Sequence, residues 1–331
     1  MEKPVTFVNR NGNRLFGMLY LPDIPQPRRV GIVISVNAIK YRLGTFRLHV
    51  LLARKLCELG YTVFSFDPEG IGDSEGRFDY KLLSEHYYDI QTGKYDRDLY
   101  DAIEFFGAQG PFDSLLLLGL CGGAISVLME AAGDRRVDGL VLLNIPVLLE
   151  GLARRGQTDN AAMITSSRTA TTLLKSKLRR FVEADFWKGV ARFEVDVREE
   201  GRLVGRALSV LAQRLGVKLA SLVGGRGRVR ELQNPVSSNK LFNMRFQNSF
   251  ARLMGTRTPI FFLFAEHDPW TWIFKSEFQD HVLQPGNAFE GCYEIDIIAA
   301  ANHIFSARES QVRLQQRVVR WLETHFPVGA L

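Results

Sequence analysis

Residues 119–123 read Gly-Leu-Cys-Gly-Gly, and the rest of the chain is best interpreted outward from them. An apolar run at 114–118 comes before this stretch, and a segment with helical composition follows at 124–130. The pattern predicts a strand, a sharp turn and a helix, with glycines that permit a tight backbone on both sides of the turn. Cys121, a reactive side chain at the centre of that turn, is therefore a candidate nucleophile.

The composition is that of a globular protein with a substantial core. The chain has 331 residues, 46% hydrophobic and 24% charged, and its apolar runs are shorter than the about 20 residues that span a bilayer. Residues 1–4 lack the apolar core of a secretory signal. Its three cysteines, Cys57, Cys121 and Cys292, lie too far apart for a zinc motif and are odd in number. We therefore expect a cytoplasmic protein with no transmembrane segment, metal or redox cofactor.

Strand-like and helix-like segments alternate along most of the chain. A hairpin is predicted around the turn at 11–12, and further segments follow with strands at 30–36, 61–66, 114–118, 139–143, 259–264 and 293–298 and helices at 45–59, 95–106 and 308–326. The run at 30–36 is continuously apolar and rich in β-branched residues, which is typical of a strand buried on both faces, and 139–143 is predicted to be another buried strand. This alternation predicts an α/β fold with a doubly wound, mostly parallel sheet.

Residues 150–257 interrupt the alternation. The segment 151–257 carries 21 Lys and Arg against 8 Asp and Glu, while the whole chain has a net charge of only +6. We interpret the segment as a basic, helical cap inserted between two core strands, over the sheet edge where ligands bind in such folds. The predicted organisation is a core over 1–148, a cap over 149–257 and the remainder of the core over 258–331.

Two features of the inserted segment bear on partners. Leucines and valines at 204–222 lie on one helical face, which predicts a cap helix folded over an apolar pocket or, alternatively, a helix on a membrane surface. The glycine- and arginine-rich stretch at 224–230 is either a solvated linker or a docking surface for an anionic partner such as an acyl carrier protein. Nucleic acid is not expected, because aromatic residues are not interleaved with the arginines. The sequence leaves the oligomeric state open.

Several motifs together resemble a known family. They are Tyr41-Arg42-Leu43-Gly44 and the stretches at 49–54, 72–76, 119–121 and 139–144. This set is similar to the α/β-hydrolase superfamily and, within its serine aminopeptidase-like branch, to the exosortase A system-associated hydrolases, which also carry cysteine at the turn. The resemblance covers about residues 30–148 and implies an α/β-hydrolase fold with an inserted helical cap. The chain departs from the pattern at Gly122 and at 37–39, so the resemblance does not imply the same substrate.

The fold implied by this resemblance assigns places to the catalytic groups. Nucleophile, acid and base follow the ends of core strands in that chain order. Asp268 follows the strand at 259–264 and is the predicted acid, with Glu266 as a second choice; no carboxylate follows the strand at 139–143. His303 follows the last strand and is the predicted base. The sequence thus predicts a triad of Cys121, Asp268 and His303.

Two backbone amides are predicted to bind the oxyanion. Gly122 follows the nucleophile and supplies the first N–H, and the loop after the first core strand supplies the second. Ile39 is our choice in that loop, with a margin of about one residue either way. The other histidines, His49, His86 and His281 among them, are expected to be structural.

These residues predict a hydrolase that acts on an ester or thioester through a covalent thioester on Cys121. The thiol beside His303 would rest as a thiolate–imidazolium pair. An acyltransferase or cyclase of a biosynthetic pathway is the alternative, because amines and thiols attack thioesters readily. From a different class, the chain could be a non-catalytic binding protein that uses the pocket and the basic cap.

Overall fold

The computed structural model describes residues 1–36, 41–149, 208, 241–283 and 286–327. The chain divides into two compact units. The first comprises Met1–Glu150, Asn243–Thr271 and Gly286–Leu331, and the second Gly151–Phe242 and Trp272–Pro285.

The first unit is built on one sheet. Its strands, within the described residues, are β1 (Glu2–Val8), β2 (Arg14–Tyr20), β3 (Val30–Ser35), β4 (Thr62–Phe66), β5 (Ser114–Leu120), β6 (Gly139–Leu143), β7 (Ile260–Ala265) and β8 (Tyr293–Ile298). They lie in the order β1-β2-β4-β3-β5-β6-β7-β8. The six strands from β3 to β8 are parallel, and the hairpin β1–β2 adds antiparallel to β4. The predicted mostly parallel sheet is confirmed.

Helices cover both faces of this sheet. The helices of the first unit are α1 (Leu48–Glu58), α2 (Leu83–Gln91), α3 (Asp96–Gly107), α4 (Gly122–Ala131), α5 (Met244–Gly255) and α7 (Arg308–His325), and the short helix α6 (Pro269–Phe274) begins in this unit after β7. Alternate side chains of the strands share one apolar cluster with α1 and α7, where Phe261 stacks on Trp321 with centroids 5.8 Å apart. On the opposite face α4 packs against α2, α3 and α5. Because both faces are covered, the central strands are buried along almost their whole length and are mostly apolar, and the predicted double winding is confirmed.

The start of α1 differs from the sequence prediction. Helical spacing begins at residue 45, but the α-helix begins at Leu48, after a single 3₁₀ turn at Thr45–Arg47. Phe46 and Arg47 have φ angles of 51° and 59°, in the left-handed region that side chains rarely adopt. A hydrophobic period carries no information about such backbone angles, so it placed the helix one turn early.

The predicted cap lies mostly outside the described residues, and its boundaries stay a prediction. The amphipathic stretch is described only at Leu208, and the basic stretch at 224–230 is not described. Helix α5, which the sequence interpretation placed in the cap, belongs to the first unit and packs against α4. In the second unit, Phe278 contacts the rings of Phe242 and Phe274.

A helix that crosses a bilayer must be long and apolar. Over the described ranges, no helix combines the length with the apolar character that a bilayer crossing requires.

Two buried histidines affect stability. His49 in α1 and His86 in α2 are 3% and 0% exposed. Burial lowers the pKa of His49 to about 4, against a smaller opposing effect of the Arg42 backbone. Burial and the nearby charge of Lys94 lower the pKa of His86 to about 4 as well. The His86 ring packs 4.8 Å from Phe78 and 4.7 Å from Tyr80, measured between centroids. Both residues are therefore neutral core rings, as the sequence interpretation expected.

We predict that His86→Phe makes the protein less sensitive to acid. Between the ordinary histidine pKa of about 6.5 and the folded value of about 4, the unfolded chain binds the extra proton, so stability falls as pH falls. Lowering the pH from 7 to 5 should cost the parent about 2 kcal/mol through this one residue, and phenylalanine removes that cost. The measurement is the free energy of unfolding from denaturant titrations at both pH values.

The quantity compared is the change in the free energy of unfolding between pH 7 and pH 5, and the change in His86→Phe is subtracted from that in the parent. Glu130, whose pKa burial raises to about 7, contributes equally to both changes, so its effect cancels. His325→Gln, at a partly buried histidine that ends α7, is the matched control. An equal loss of stability in His86→Phe and the parent would contradict the prediction.

Candidate active site

Cys121 sits at a sharp turn between β5 and α4. Its φ and ψ angles are 54° and −116°, so it is one of the few described residues other than glycine with a positive φ. Such a conformation costs about 1–3 kcal/mol and persists only where the surroundings impose it. Here the strand ends one residue before Cys121 and the helix begins one residue after it. The predicted strand-turn-helix is present, and its central residue is strained.

Close packing of the strand on the helix explains the flanking glycines. A Cβ atom at Gly119 would lie 2.4 Å from the carbonyl carbon and oxygen of Gly123. No side chain fits in that space, so residue 119 must be glycine. The Cys121 N–H donates to the carbonyl of Leu143 at the end of β6, 2.9 Å away. The turn is thereby fixed to the neighbouring strand.

Gly122 opens helix α4, directly after Cys121. The first N–H groups of a helix have no acceptor inside the helix, and the positive end of the helix dipole lies there. The Gly122 amide is therefore suited to an oxygen that acquires negative charge. Ile39, predicted as the second donor, lies outside the described residues.

Asp268 lies in the turn after β7. Its side chain is 1% exposed, and each of its carboxylate oxygens has a partner. Oδ1 accepts the Trp270 N–H at 3.1 Å, and Oδ2 lies 2.6 Å from Nδ1 of His303. The turn itself is closed by Thr271, whose hydroxyl donates to the carbonyl of Ala265 at 2.6 Å. The carboxylate is thus held in one orientation, toward the histidine.

His303 lies in the loop between β8 and α7. Asn302 fixes this loop, because its side chain accepts the Ser306 N–H at 3.0 Å and donates to the Ser306 hydroxyl at 2.8 Å. Phe305, fully buried and with a φ of 48°, anchors the same loop in the core. The His303 side chain remains 34% exposed. It is therefore fixed at its backbone and open at its ring.

Electrostatics favour a charged His303. Burial disfavours the imidazolium, but the charge and hydrogen bond of Asp268, together with the nearby Cys121, outweigh it and raise the pKa of His303 well above its ordinary value. Since Nδ1 is bonded to Asp268, Nε2 is the nitrogen that can serve Cys121. The three side chains form a chain of contacts in the order Asp268, His303, Cys121.

The remaining candidates have other roles. Glu266, the second choice for the acid, accepts the Ala300 N–H at 2.9 Å and so stabilises the start of the loop that carries His303. Asp67, fully buried, accepts the Arg42 and Asp73 backbone N–H groups and pairs with the Arg42 guanidinium. Cys57 is half-buried, and burial raises its pKa.

Asn144 is a residue of the site that the sequence did not predict. It directly follows β6, and it is fully buried with a φ of 46°. Its side chain bonds both the Ala265 N–H and the His303 carbonyl. A polar residue at the end of a core strand, of a type that tolerates left-handed backbone, is the signal that could have marked it.

A metal ion needs several ligating side chains close together. Across the described ranges, no group of three or more histidine, cysteine, aspartate or glutamate side chains is arranged to hold a metal ion.

Known proteins were compared with the chain. No family model matches it, and neither does any curated protein sequence. Solved structures do match. An α/β-hydrolase from Penicillium sp. sh18, GrgF, is 17% identical with a TM-score of 0.53, over 98% of this chain and 99% of that one. An esterase from Pyrococcus furiosus is 12% identical with a TM-score of 0.53, over 98% and 91%.

A third structure is named an α/β serine hydrolase without lid, from Xanthomonas campestris. It is 15% identical with a TM-score of 0.50, over 99% of this chain and 96% of that one. At these identities the likeness concerns the fold, and it agrees with the strand order and the double winding described above. The chain has the α/β-hydrolase fold.

Proposed function

We propose that this protein is a cysteine-dependent hydrolase that acts on ester or thioester acyl substrates through a thioester on Cys121. One observation carries the proposal. The strained Cys121 at the end of β5 lies close enough to His303 to raise the pKa of its ring, and Nδ1 of that ring lies 2.6 Å from the buried carboxylate of Asp268. A nucleophile, a base and a group that orients the base are the three parts that nucleophilic acyl transfer requires.

The first half of the proposed reaction forms the acyl-enzyme. The Cys121 thiolate attacks the acyl carbon, and the carbonyl electron pair moves to the oxygen, which the Gly122 N–H stabilises. The Ile39 amide is the predicted second donor. The tetrahedral adduct collapses, the bond to the leaving alcohol or thiol breaks, and Nε2 of His303 gives that group its proton. Asp268 holds the imidazolium in position meanwhile.

The second half releases the acid. His303, now neutral, takes a proton from a water molecule as that water attacks the thioester carbon. The adduct collapses, the carbon–sulfur bond breaks and the Cys121 thiolate and the imidazolium form again. The products are a carboxylic acid and the free enzyme, so one water is consumed in each cycle.

A cysteine at the turn also favours transfer to acceptors other than water. The esterase and the serine hydrolase of the comparison are named for ester and serine chemistry, whereas this chain carries a thiol. The similarity to exosortase A system-associated hydrolases stays a prediction and agrees with the thiol. An acyltransferase or cyclase is therefore the second candidate, and an acyl carrier protein at the basic segment 151–257 is its predicted partner.

We predict that Cys121 reacts selectively with iodoacetamide near neutral pH. Its alkylation should be at least about tenfold faster than that of Cys57 and Cys292, because only Cys121 has an imidazolium partner. His303→Ala should remove the difference. Mass spectrometry of the alkylated peptides against time gives the three rates.

His325→Ala is the matched control for this experiment, because His325 also lies 2.6 Å from a carboxylate, that of Glu294, but at the far end of α7. It should alkylate like the parent. Equal, slow alkylation of all three cysteines in the parent would favour the non-catalytic binding protein instead.

We predict that Asp268→Asn lowers kcat/KM for a p-nitrophenyl ester by about 10²- to 10⁴-fold. The amide is isosteric but cannot stabilise the imidazolium, and it favours the wrong tautomer of His303. Glu266→Gln, the same change two residues away, retains an acceptor for the Ala300 N–H and should keep most of the activity. A greater loss in Glu266→Gln than in Asp268→Asn would mean that the acid is misassigned.

We predict that hydroxylamine or a small thiol diverts part of the acyl group from water. Thioesters partition toward such acceptors more than oxygen esters do, so Cys121→Ser should divert less of it. Product ratios measured at increasing acceptor concentration test this prediction. Strictly hydrolytic products at every concentration would count against the acyltransferase.

A further inference from the structure

The residue after β6 carries a buried amide that bonds to the backbone near Asp268 and at His303. Asn144 follows Gly139–Leu143 directly and is 0% exposed. Its Oδ1 accepts the Ala265 N–H at 2.8 Å, and its Nδ2 donates to the His303 carbonyl at 2.8 Å. The two polar atoms of this short side chain are therefore bonded to the backbone of two different segments, at Ala265 and at His303.

The hydrogen-bond partners of Asn144 belong to the two segments that carry Asp268 and His303. Ala265 is the last residue of β7, and its carbonyl accepts the Asp268 N–H at 3.1 Å and the Thr271 hydroxyl at 2.6 Å. The Ala265 N–H, on the same residue, is bonded to Asn144. The position of the acid turn thus depends on a residue that the Asn144 side chain holds.

The nucleophile is tied to the same place. The Leu143 carbonyl, one residue before Asn144, accepts the Cys121 N–H at 2.9 Å, and the Asn144 N–H donates to Leu263 in β7 at 3.0 Å. The three segments that carry Cys121, Asp268 and His303 are consequently all bonded at or next to two adjacent residues, Leu143 at the end of β6 and Asn144 after it. A shift of any loop must break one of these hydrogen bonds.

We propose that Asn144 is a positioning residue, whose side-chain amide sets the main chain of His303 relative to Asp268 and Cys121. The inference rests on the proposed function. The carbonyl of His303 is fixed by Nδ2, and the turn of Asp268 is fixed through Ala265 by Oδ1. The Asn144 amide thereby links the two segments whose side chains lie 2.6 Å apart at His303 and Asp268.

The identity of the residue agrees with this role. Asn144 has a φ of 46°, and asparagine occupies this left-handed region more readily than other residues with side chains. Glycine adopts the same backbone without strain but has no amide. Aspartate keeps an acceptor for the Ala265 N–H but sets an oxygen against the His303 carbonyl in place of a donor.

Asn144→Gly and Asn144→Asp therefore separate the amide from the backbone. The measurement is the alkylation rate of Cys121 by iodoacetamide as a function of pH, in which the carbon–sulfur bond forms as iodide leaves. Under the proposed function, Cys121 reacts in the parent as the partner of His303. In both variants we expect the rate at pH 6 to fall about tenfold, with the pH profile shifted toward that of His303→Ala.

A merely structural asparagine would give a different result. Leu15→Ala is the control, because Leu15 in β2 is fully buried, two strands separate β2 from β5 in the sheet, and its truncation destabilises the core. It should lower the melting temperature and leave the pH profile unchanged. A parent-like pH profile in folded Asn144→Gly and Asn144→Asp overturns the inference, whatever their melting temperatures.

A measurement on the unaltered protein covers the case in which neither variant folds. A side-chain amide that holds two loops exchanges its Nδ2 protons slowly, and its resonance shifts when Cys121 is alkylated. Fast exchange, or a resonance that does not respond, overturns the inference. Failure of the proposed function is distinguishable, because it shows in the parent as alkylation of Cys121 that does not depend on His303.

Discussion

The site depends on the left-handed backbone of Cys121. Strand β5 changes into helix α4 across this single residue, which brings the strand and the helix so close that residue 119 has room only for hydrogen. The conformational strain, about 1–3 kcal/mol, is offset by the packing of α4, which is buried along almost its whole length. The turn places a thiol at the end of the sheet and a helix N-terminus beside it.

The parallel sheet explains why distant residues converge on that thiol. The carboxyl ends of parallel strands lie at one edge, so the residues that follow β5, β6, β7 and β8 are neighbours. These four positions contribute Cys121, Asn144, Asp268 and His303. A buried carboxylate needs compensation, and Asp268 obtains it from the Trp270 N–H and the His303 ring. The same interaction raises the pKa of His303 and keeps its ring charged.

The sequence was informative about the core and about which strand ends carry reactive groups. Continuous apolar runs identified the buried strands, because burial on both faces leaves no polar positions. The turn at Cys121 could be predicted because strained turns need glycines. The sequence was less informative about hydrogen bonds. Asn144 was passed over because only a carboxylate was sought after β6, and the start of α1 was placed early because left-handed angles at Phe46 and Arg47 leave no hydrophobic signature.

The sequence by itself determined the doubly wound sheet and the strand ends that carry Cys121, Asp268 and His303. Only the tertiary structure decided that Asp268, and not Glu266, faces the imidazole, and that Asn144 joins the two loops. The reason is physical. Strand and helix patterns arise from burial and steric limits that act over a few residues, whereas contacts between loops depend on strand order and register, which form only when the whole sheet assembles.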